Sequence, residues 1–344
     1  MSENNTTAEE YQPVNTTPPL RYLFYVLIGL GVWSANSLIF LTIVLSKELR
    51  AQKQYLVVAG LALTDAVNGL ACFAAGPFRS YLIIIGEGQK LLTSWDCLIL
   101  RPYTSMMNWG GIGSQVMLPV LSFDRLGYAL SLVGTAYLFT TLWYLVGVVV
   151  SYSNPREAKY PSTCQSLWAV GNQLYSNVWF TIQATSSSLG VLIYIPVMFF
   201  FVRWRRRLAA TLVETDHQEK QRAKREQRLV VSTGITCLFT VFLSAIPNSL
   251  MLGALHFSPS LYEPLANTAY LSTLANSFPN LWIYTWRHEE LRAHVKKLLK
   301  LDKLCPSNGG TSTPVVPMTH VVSRTSVVGP TTAIKRMSHA TTVC

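Results

Sequence analysis

The sequence predicts an all-α protein: a bundle of seven membrane-spanning helices followed by an amphipathic helix lying in the membrane interface. Three observations predict it. Half of the 344 residues are apolar and only 13% are charged, and the charges sit in short runs between long uncharged ones. Each uncharged run reaches the length of about 20 residues that a bilayer core demands. Polar groups nevertheless recur inside these runs, among them Asn36, Asp65, Asp124-Arg125, Asn280 and Tyr284. A lipid interior penalises such groups, so their presence there needs a reason.

The expected spans are 22–46, 55–78, 102–123, 127–152, 178–202, 229–255 and 265–286. Each is rich in Leu, Val, Ile, Phe and Tyr, and none alternates as a barrel strand would. Together they form one transmembrane domain, 22–286. It is preceded by a polar tail, 1–21, and followed by the interfacial helix, 287–305, and a tail, 306–344, read as disordered from its Ser, Thr, Val and Pro content without acids.

The net charge of +11 is unevenly placed. Lys and Arg gather at Lys47, Arg50 and Lys53, across 203–228 and across 287–303. The intervening loops carry fewer: Arg79, Lys90 and Arg101, then Arg156 and Lys159, then none in 257–264. Positive charge marks the cytoplasmic side, which puts the N-terminus outside and the C-terminus inside; the membrane expected is the plasma membrane. Basic clusters beside spans are topogenic, so a nucleic-acid partner is the weaker reading.

The first twenty residues hold no apolar core, so the first span is expected to serve as the anchor. Asn4, Asn5 and Asn15 each begin an N-x-Thr sequon on that external tail. Cys97 and Cys164 fall on the oxidising side, where a disulfide persists. Cys72 and Cys237 lie within spans and read as packing residues. The external stretch 152–177 carries Cys164 with Tyr160, Trp168 and Tyr175; the internal stretch 203–228 is basic and helix-prone.

After the seventh span, Trp286, Leu291, Val295, Leu298 and Leu299 fall on one helical face, with Arg292, Lys296, Lys297 and Lys300 off it. That is the pattern of a helix lying on lipid. Cys305 at its end is either an S-acylation site or a free cytoplasmic thiol. Hydroxyls of the tail could accept phosphate, and the ending Thr342-Val343-Cys344 has the form of a weak strand-addition ligand.

Several motifs line up in order along the spans: Asn36; Leu61-Ala62-Leu63-Thr64-Asp65; Ser122-Phe123-Asp124-Arg125-Leu126; Pro196; Ser244-Ala245-Ile246-Pro247; and Pro279-Asn280-Leu281-Trp282-Ile283-Tyr284. Over about 22–305 the chain resembles the rhodopsin-like (class A) G-protein-coupled receptors. It departs from them at D-R-L for D-R-Y, at S-A-I-P for C-W-x-P, at the displaced Pro279, and in a short uncharged stretch, 126–151, where the family has a longer basic loop. A divergent branch such as invertebrate chemosensory or peptide receptors fits these departures.

The resemblance implies a receptor that converts extracellular ligand binding into activation of a heterotrimeric G protein, with arrestin and a kinase as partners of the tail. It implies an activation switch of Asp124, Arg125, Pro247, Asn280 and Tyr284. Arg125 is then either latched by Asp124 at rest or simply snorkelling beside it. It implies a sodium-and-water pocket of Asn36, Asp65, Ser114, Asn276 and Ser277, near Asn280, with oxygen ligands suited to a hard cation. The other reading of that set is a dry network around a protonated Asp65. It implies a Cys97–Cys164 disulfide. Apart from sodium, no cofactor or metal is expected.

The resemblance also implies absences. No lysine occupies the seventh span for a retinal Schiff base, Leu274 standing at that place. Met107 stands where an aminergic receptor carries its carboxylate. Tyr103, Met107, Asn108, Gln115, Gln183 and Tyr270 are expected to line an uncharged outer cavity for a neutral small molecule or a peptide, although mid-span Gln and Asn also serve as glue between helices. A transporter or channel using Asp65 as an ion site is the alternative, but no inverted repeat is visible. An enzyme is not expected: His217, His256, His288, His294, His320 and His339 do not cluster.

Overall fold

The computed structural model describes residues 19–123, 129–154, 160–164, 170–211, 235–236, 238–257 and 259–299. The described chain is almost entirely helical. In order come α1 (Pro19–Leu45), a short α2 (Lys47–Arg50), α3 (Lys53–Ile84), α4 (Ser94–Ile99), α5 (Pro102–Phe123), α6 (Ala129–Ser153) and α7 (Gln173–Thr211). A π-helical turn (Val241–Ala245) runs into α8 (Ile246–Phe257), followed by α9 (Pro259–Ala275), α10 (Asn280–Arg287) and α11 (Glu289–Leu298). Two short strands, β1 (Leu91–Leu92) and β2 (Tyr160–Pro161), pair antiparallel with Leu91 opposite Pro161.

Among the described residues, three helical segments are long and apolar enough to cross a membrane: Tyr22–Leu45, Lys53–Ile84 and Leu130–Ser153. The helix of the expected third span, α5, is not among them. Its apolar run is diluted by Thr104, Asn108, Ser114 and Gln115, all of which are buried. The outward sides of α1 and α6 expose large apolar side chains, including Leu23, Phe24, Leu27, Leu138, Leu142 and Val149. So much exposed apolar surface is costly in water and costs nothing in lipid.

Small residues let the helices approach. The tightest pairing is α1 on α3, where Gly29 and Gly69 face each other. A methyl group built on Gly69 would lie 2.6 Å from Trp33 N, and one on Gly29 would lie 2.5 Å from Phe73 N. No side chain larger than hydrogen fits without parting the two backbones. This is how membrane helices gain van der Waals contact without a hydrophobic drive.

Helix ends and breaks follow local chemistry. Ser46 caps α2 by accepting from Leu49 N at 3.4 Å. Thr93 caps α4 by accepting from Asp96 N at 3.0 Å, while its own hydroxyl donates to Asp96 Oδ2 at 2.8 Å. In α11, Glu289 and Glu290 occupy the first turn and Lys296 and Lys297 the last, matching the helix dipole.

Two prolines reshape the helices over the last two expected spans. Pro247 has no N–H for the carbonyl of Leu243, and the π-helical turn lies immediately before it. The released Leu243 carbonyl accepts from Ser272 Oγ at 3.0 Å. The expected single span 265–286 is divided. The helix stops at Ala275, Ser277 N and Phe278 N fold back to Leu274 O and Ala275 O, and helix resumes at Asn280 with Ile283 N bonded to Pro279 O at 2.9 Å. Pro279 sets the break, because it can begin a helix and cannot continue one.

The amphipathic helix α11 buries Leu291 and Val295 against Ile39, Ile43, Tyr55 and Tyr284. The predicted single face is therefore split: Trp286, Leu298 and Leu299 stay exposed. A polar clamp joins α11 to the α2–α3 turn, with Gln52 Nε2 donating to Glu290 Oε2 at 2.9 Å and Tyr55 O–H donating to the same oxygen at 3.4 Å.

Candidate functional site

A carboxylate lies at the centre of the bundle. Asp65, on α3, is 1% exposed. Its Oδ2 accepts from Asn280 Nδ2 at 2.9 Å, across the break between α9 and α10. Ser114 and Ser277 flank the carboxyl group. The Ser114 hydroxyl donates to Gly110 O at 2.9 Å. Asn36 Nδ2 donates to Val32 O at 3.0 Å and to Ser277 O at 3.2 Å, tying α1 to the turn that precedes Asn280. The break before Asn280 is thus where the polar groups of three helices meet.

Beside Asp65 is a small cavity of about 20 Å³, lined by Asp65, Ser114, Gln115, Asn276, Asn280 and Tyr284 among others. A space of that size accepts one water-sized species. Asp65 and Asn276 both line it, and their Oδ1 atoms have no hydrogen-bond partner among the described residues. Buried oxygens left in this state favour a bound water or a hard cation. The residue set therefore fits a single sodium ion or water; the cavity has no room for an ion with its own hydration shell.

A second polar group adjoins it and was not foreseen as a unit. Gln115 Oε1, on α5, accepts from Ser187 Oγ of α7 at 2.7 Å and from Ser244 Oγ of the π-helical turn at 3.0 Å. Ser187 Oγ and Ser244 Oγ lie 3.1 Å apart. Asn248 Nδ2 reaches Ser244 Oγ at 3.4 Å and Thr273 Oγ1 at 3.5 Å. The clasp ties α5, α7, α8 and α9 at the S-A-I-P motif. The signal for it was the serine at 244, which only a contact partner could have turned into a prediction.

At one end of the bundle Cys97 and Cys164 are disulfide-bonded, with their Cα atoms 5.6 Å apart. Arg79, read from sequence as a loop charge, belongs instead to α3 and is 3% exposed. Its Nε donates to Thr163 O at 2.8 Å and its Nη2 to Cys164 O at 2.6 Å. Its guanidinium carbon lies 5.3 Å from the Tyr25 ring centre and 5.2 Å from that of Tyr103. The helix had run past its expected end at 78, and the apolar residues beyond it, Tyr81 to Ile85, carried no signal that Arg79 faced inward.

The residues expected to line an outer cavity divide into two places. Tyr103, Met107 and Tyr270 pack in one cluster with Tyr25 and Leu274, between α1, α3, α5 and α9. Tyr270 O–H donates to Asn68 Oδ1 at 2.6 Å, and Cys72 Sγ lies 3.4 Å from the same hydroxyl. Gln183 sits apart on α7, near Gly111 and Trp179. Asn108 is buried on α5. The expectation of an uncharged outer wall fails at Arg79, whose neighbour Tyr103 belongs to the first group.

Of the residues expected to form an activation switch, Asn280 and Tyr284 are buried at the Asp65 cavity, and Pro247 follows the π-helical turn. Asp124 and Arg125, the sequons Asn4, Asn5 and Asn15, and Cys305 lie outside the described residues. No model of a protein family matches the chain, and no curated protein matches it in sequence.

Proposed function

We propose that the chain is a divergent seven-helix receptor of the rhodopsin-like type, with its N-terminus outside the cell, that binds an extracellular ligand and activates a heterotrimeric G protein. One observation carries the reading. The Asp65–Asn280 hydrogen bond closes on a water-sized cavity whose wall draws polar groups from α3, α5, α10 and the turn that precedes α10. A chain that only needed to fold in lipid would gain by filling that space with apolar atoms. A receptor that must repack gains from a polar seam with unspent hydrogen-bonding capacity, because the alternative arrangement can claim it.

The parts then take roles. Ligand binding at the disulfide end favours an arrangement in which the helices at the other end part. The π-helical turn before Pro247 and the broken seventh helix supply places to bend. Asp124-Arg125, the basic 203–228 segment and α11 form the surface offered to the G protein. A sodium ion at Asp65, held by that carboxylate with Ser114 and Asn276, would supply the counter-charge the buried carboxylate lacks.

The test is G-protein activation in cells expressing the full chain. Arg125→Ala is expected to reach the cell surface and to lose at least tenfold in nucleotide exchange. Full signalling by Arg125→Ala overturns the reading. Ligand-evoked current or substrate uptake in cells without G proteins would favour the transporter or channel instead.

A further inference from the structure

Beside the disulfide lies a cavity that the receptor reading leaves unused. It measures about 230 Å³ and is lined by Thr93, Ser94, Trp95 and Asp96 at the start of α4 and by Tyr152 and Asn154 at the end of α6, among others. A bare ion needs far less room, and pockets for drug-sized ligands run to about 300–1,000 Å³. The space suits a small organic molecule.

Its walls are tied from behind. Cys97, the residue after Asp96, is bonded to Cys164. Thr104 Oγ1 donates to Cys97 O at 2.9 Å and Ser105 Oγ to Leu98 O at 3.1 Å, so α5 holds α4 in place. Trp95 packs against the disulfide and meets Tyr152 edge to face, with ring centres 5.2 Å apart. Asn154 Nδ2 donates to Val170 O at 2.6 Å. Walls already fixed lose little freedom when a ligand binds.

Three of the lining residues keep oxygens unspent. Asp96 Oδ2 accepts from the Thr93 hydroxyl at 2.8 Å, and no hydrogen bond from a described residue reaches Oδ1. Asn154 uses its amide N–H and leaves Oδ1. Ser94 is 4% exposed, its Oγ lies against Gly171, and its hydroxyl has no hydrogen-bond partner among the described residues. Buried polar groups left in that state are uncommon and call for a partner.

Nor is Asp96 neutralised. No Lys, Arg or His nitrogen among the described residues lies within 4 Å of its carboxylate. The cations at this end are turned elsewhere. Arg79 is spent on the Thr163 and Cys164 carbonyls and on Tyr103. Arg101 Nε donates to Ser162 O at 3.3 Å, and its guanidinium lies 4.6 Å from the Phe78 ring centre. The two arginines thus hold the loop carbonyls 162 to 164, and Lys90 is exposed.

We infer that this cavity is a binding site for a small organic ammonium, whose N–H groups donate to Asp96, Ser94 and Asn154 while its apolar part lies against Trp95 and Tyr152. An ammonium brings three donors to three acceptors. Aromatic rings beside a carboxylate favour a cation further. An anion would meet Asp96 in the wall, a sugar would leave that carboxylate without a counter-charge, and a bare metal ion would leave most of the space unfilled. The inference goes beyond the receptor reading and does not depend on it.

The experiment measures thermal unfolding of the purified full chain in lipid nanodiscs at neutral pH. Benzylammonium is set against benzyl alcohol, its uncharged counterpart, and against glucose and calcium chloride, at matched ionic strength. Benzylammonium is expected to raise the midpoint by about 2 °C or more and the other three to leave it unchanged. Asp96→Asn keeps an acceptor for Thr93 and abolishes the shift. Ser94→Ala leaves the Thr93 cap in place and should weaken apparent affinity about threefold or more, which keeps the test decisive if Asp96→Asn does not fold. An equal shift from benzyl alcohol, a larger one from glucose or calcium, or an undiminished shift in these variants overturns the inference.

A further variant carries Gln in place of Arg156 and Lys159, cations outside the described residues. A shift equal to that of the parent supports an external ligand. A shift that appears only in this variant means the chain's own cation fills the cavity, and the proposal fails.

Discussion

The middle of α3, at Asp65, and its C-terminal end, at Arg79, bury opposite charges and treat them differently. Arg79 is surrounded by groups that cannot move far: backbone carbonyls tied to a disulfide, and tyrosine rings packed between helices. Asp65 is surrounded by amide and hydroxyl side chains on separate helices, next to a void, with one of its oxygens unsatisfied. The first environment fixes a loop in place. The second keeps a hydrogen-bonding choice open. A charge held by peptide groups stabilises one structure, whereas a charge held by side chains from several helices can be shared out again when those helices shift.

The sharpest way to break the comparison is at the disulfide. It closes a loop of 67 residues, so its loss is expected to cost about 2–5 kcal/mol and to free the carbonyls that Arg79 holds. Cys97→Ser is expected to lower the unfolding midpoint more than any single change at the Asp65 pocket. It should also raise hydrogen exchange at 162–164 while leaving exchange near Asn280 unaltered. Equal protection at 162–164 in parent and variant would mean that the arginines alone hold the loop.

Next comes the exchange of each charge for its neutral amide. Arg79→Gln removes two charge-assisted hydrogen bonds to the loop and is expected to destabilise by about 2–4 kcal/mol. Asp65→Asn should be close to neutral in stability or slightly stabilising, because a buried carboxylate with an unmet oxygen disappears and Asn280 can still pair with an amide. Its effect belongs to signalling, where basal and ligand-driven exchange should change and any sodium dependence should vanish. Thermal unfolding of the two variants side by side checks the asymmetry; a larger loss from Asp65→Asn would reverse the assignment of fixed and adjustable sites.

What the sequence made legible follows from where the information lies. Charge-free runs and basic clusters are local, and they placed α1, α3, α5 and α6 within a few residues of their ends, apart from the extra turns of α3 beyond 78. The break of the seventh span could be anticipated at Pro279, since a missing N–H acts on its own turn. That Asp65 needs a partner was legible because a lone carboxylate in lipid is costly; Asn280 beside it came from the resemblance to the receptor family. Arg79 was not, because an arginine near the end of an apolar run reads equally as a loop charge. Only the fold back of 162–164 over α3, 84 residues away in sequence, turns it inward. The Gln115 clasp was hidden for the same reason: its serines come from separate helices, and each alone is unremarkable for a membrane helix.

The smallest expected effect tests whether that clasp sides with the fixed site or the adjustable one. Ser244→Ala removes one hydroxyl from a set in which Gln115 Oε1 still accepts from Ser187 and Asn248 retains Thr273. The cost to stability should be about 1 kcal/mol. If the clasp restrains the π-helical turn against bending, that small loss appears as raised basal G-protein activation, by a few fold, with surface expression unchanged. Ser187→Ala should act in the same direction, and the double variant should add little to either alone, since both hydroxyls work through the one oxygen of Gln115. Additive effects of the two would mean separate contacts rather than a shared latch, and the bend at Pro247 would then have to be governed by the Leu243–Ser272 bond instead.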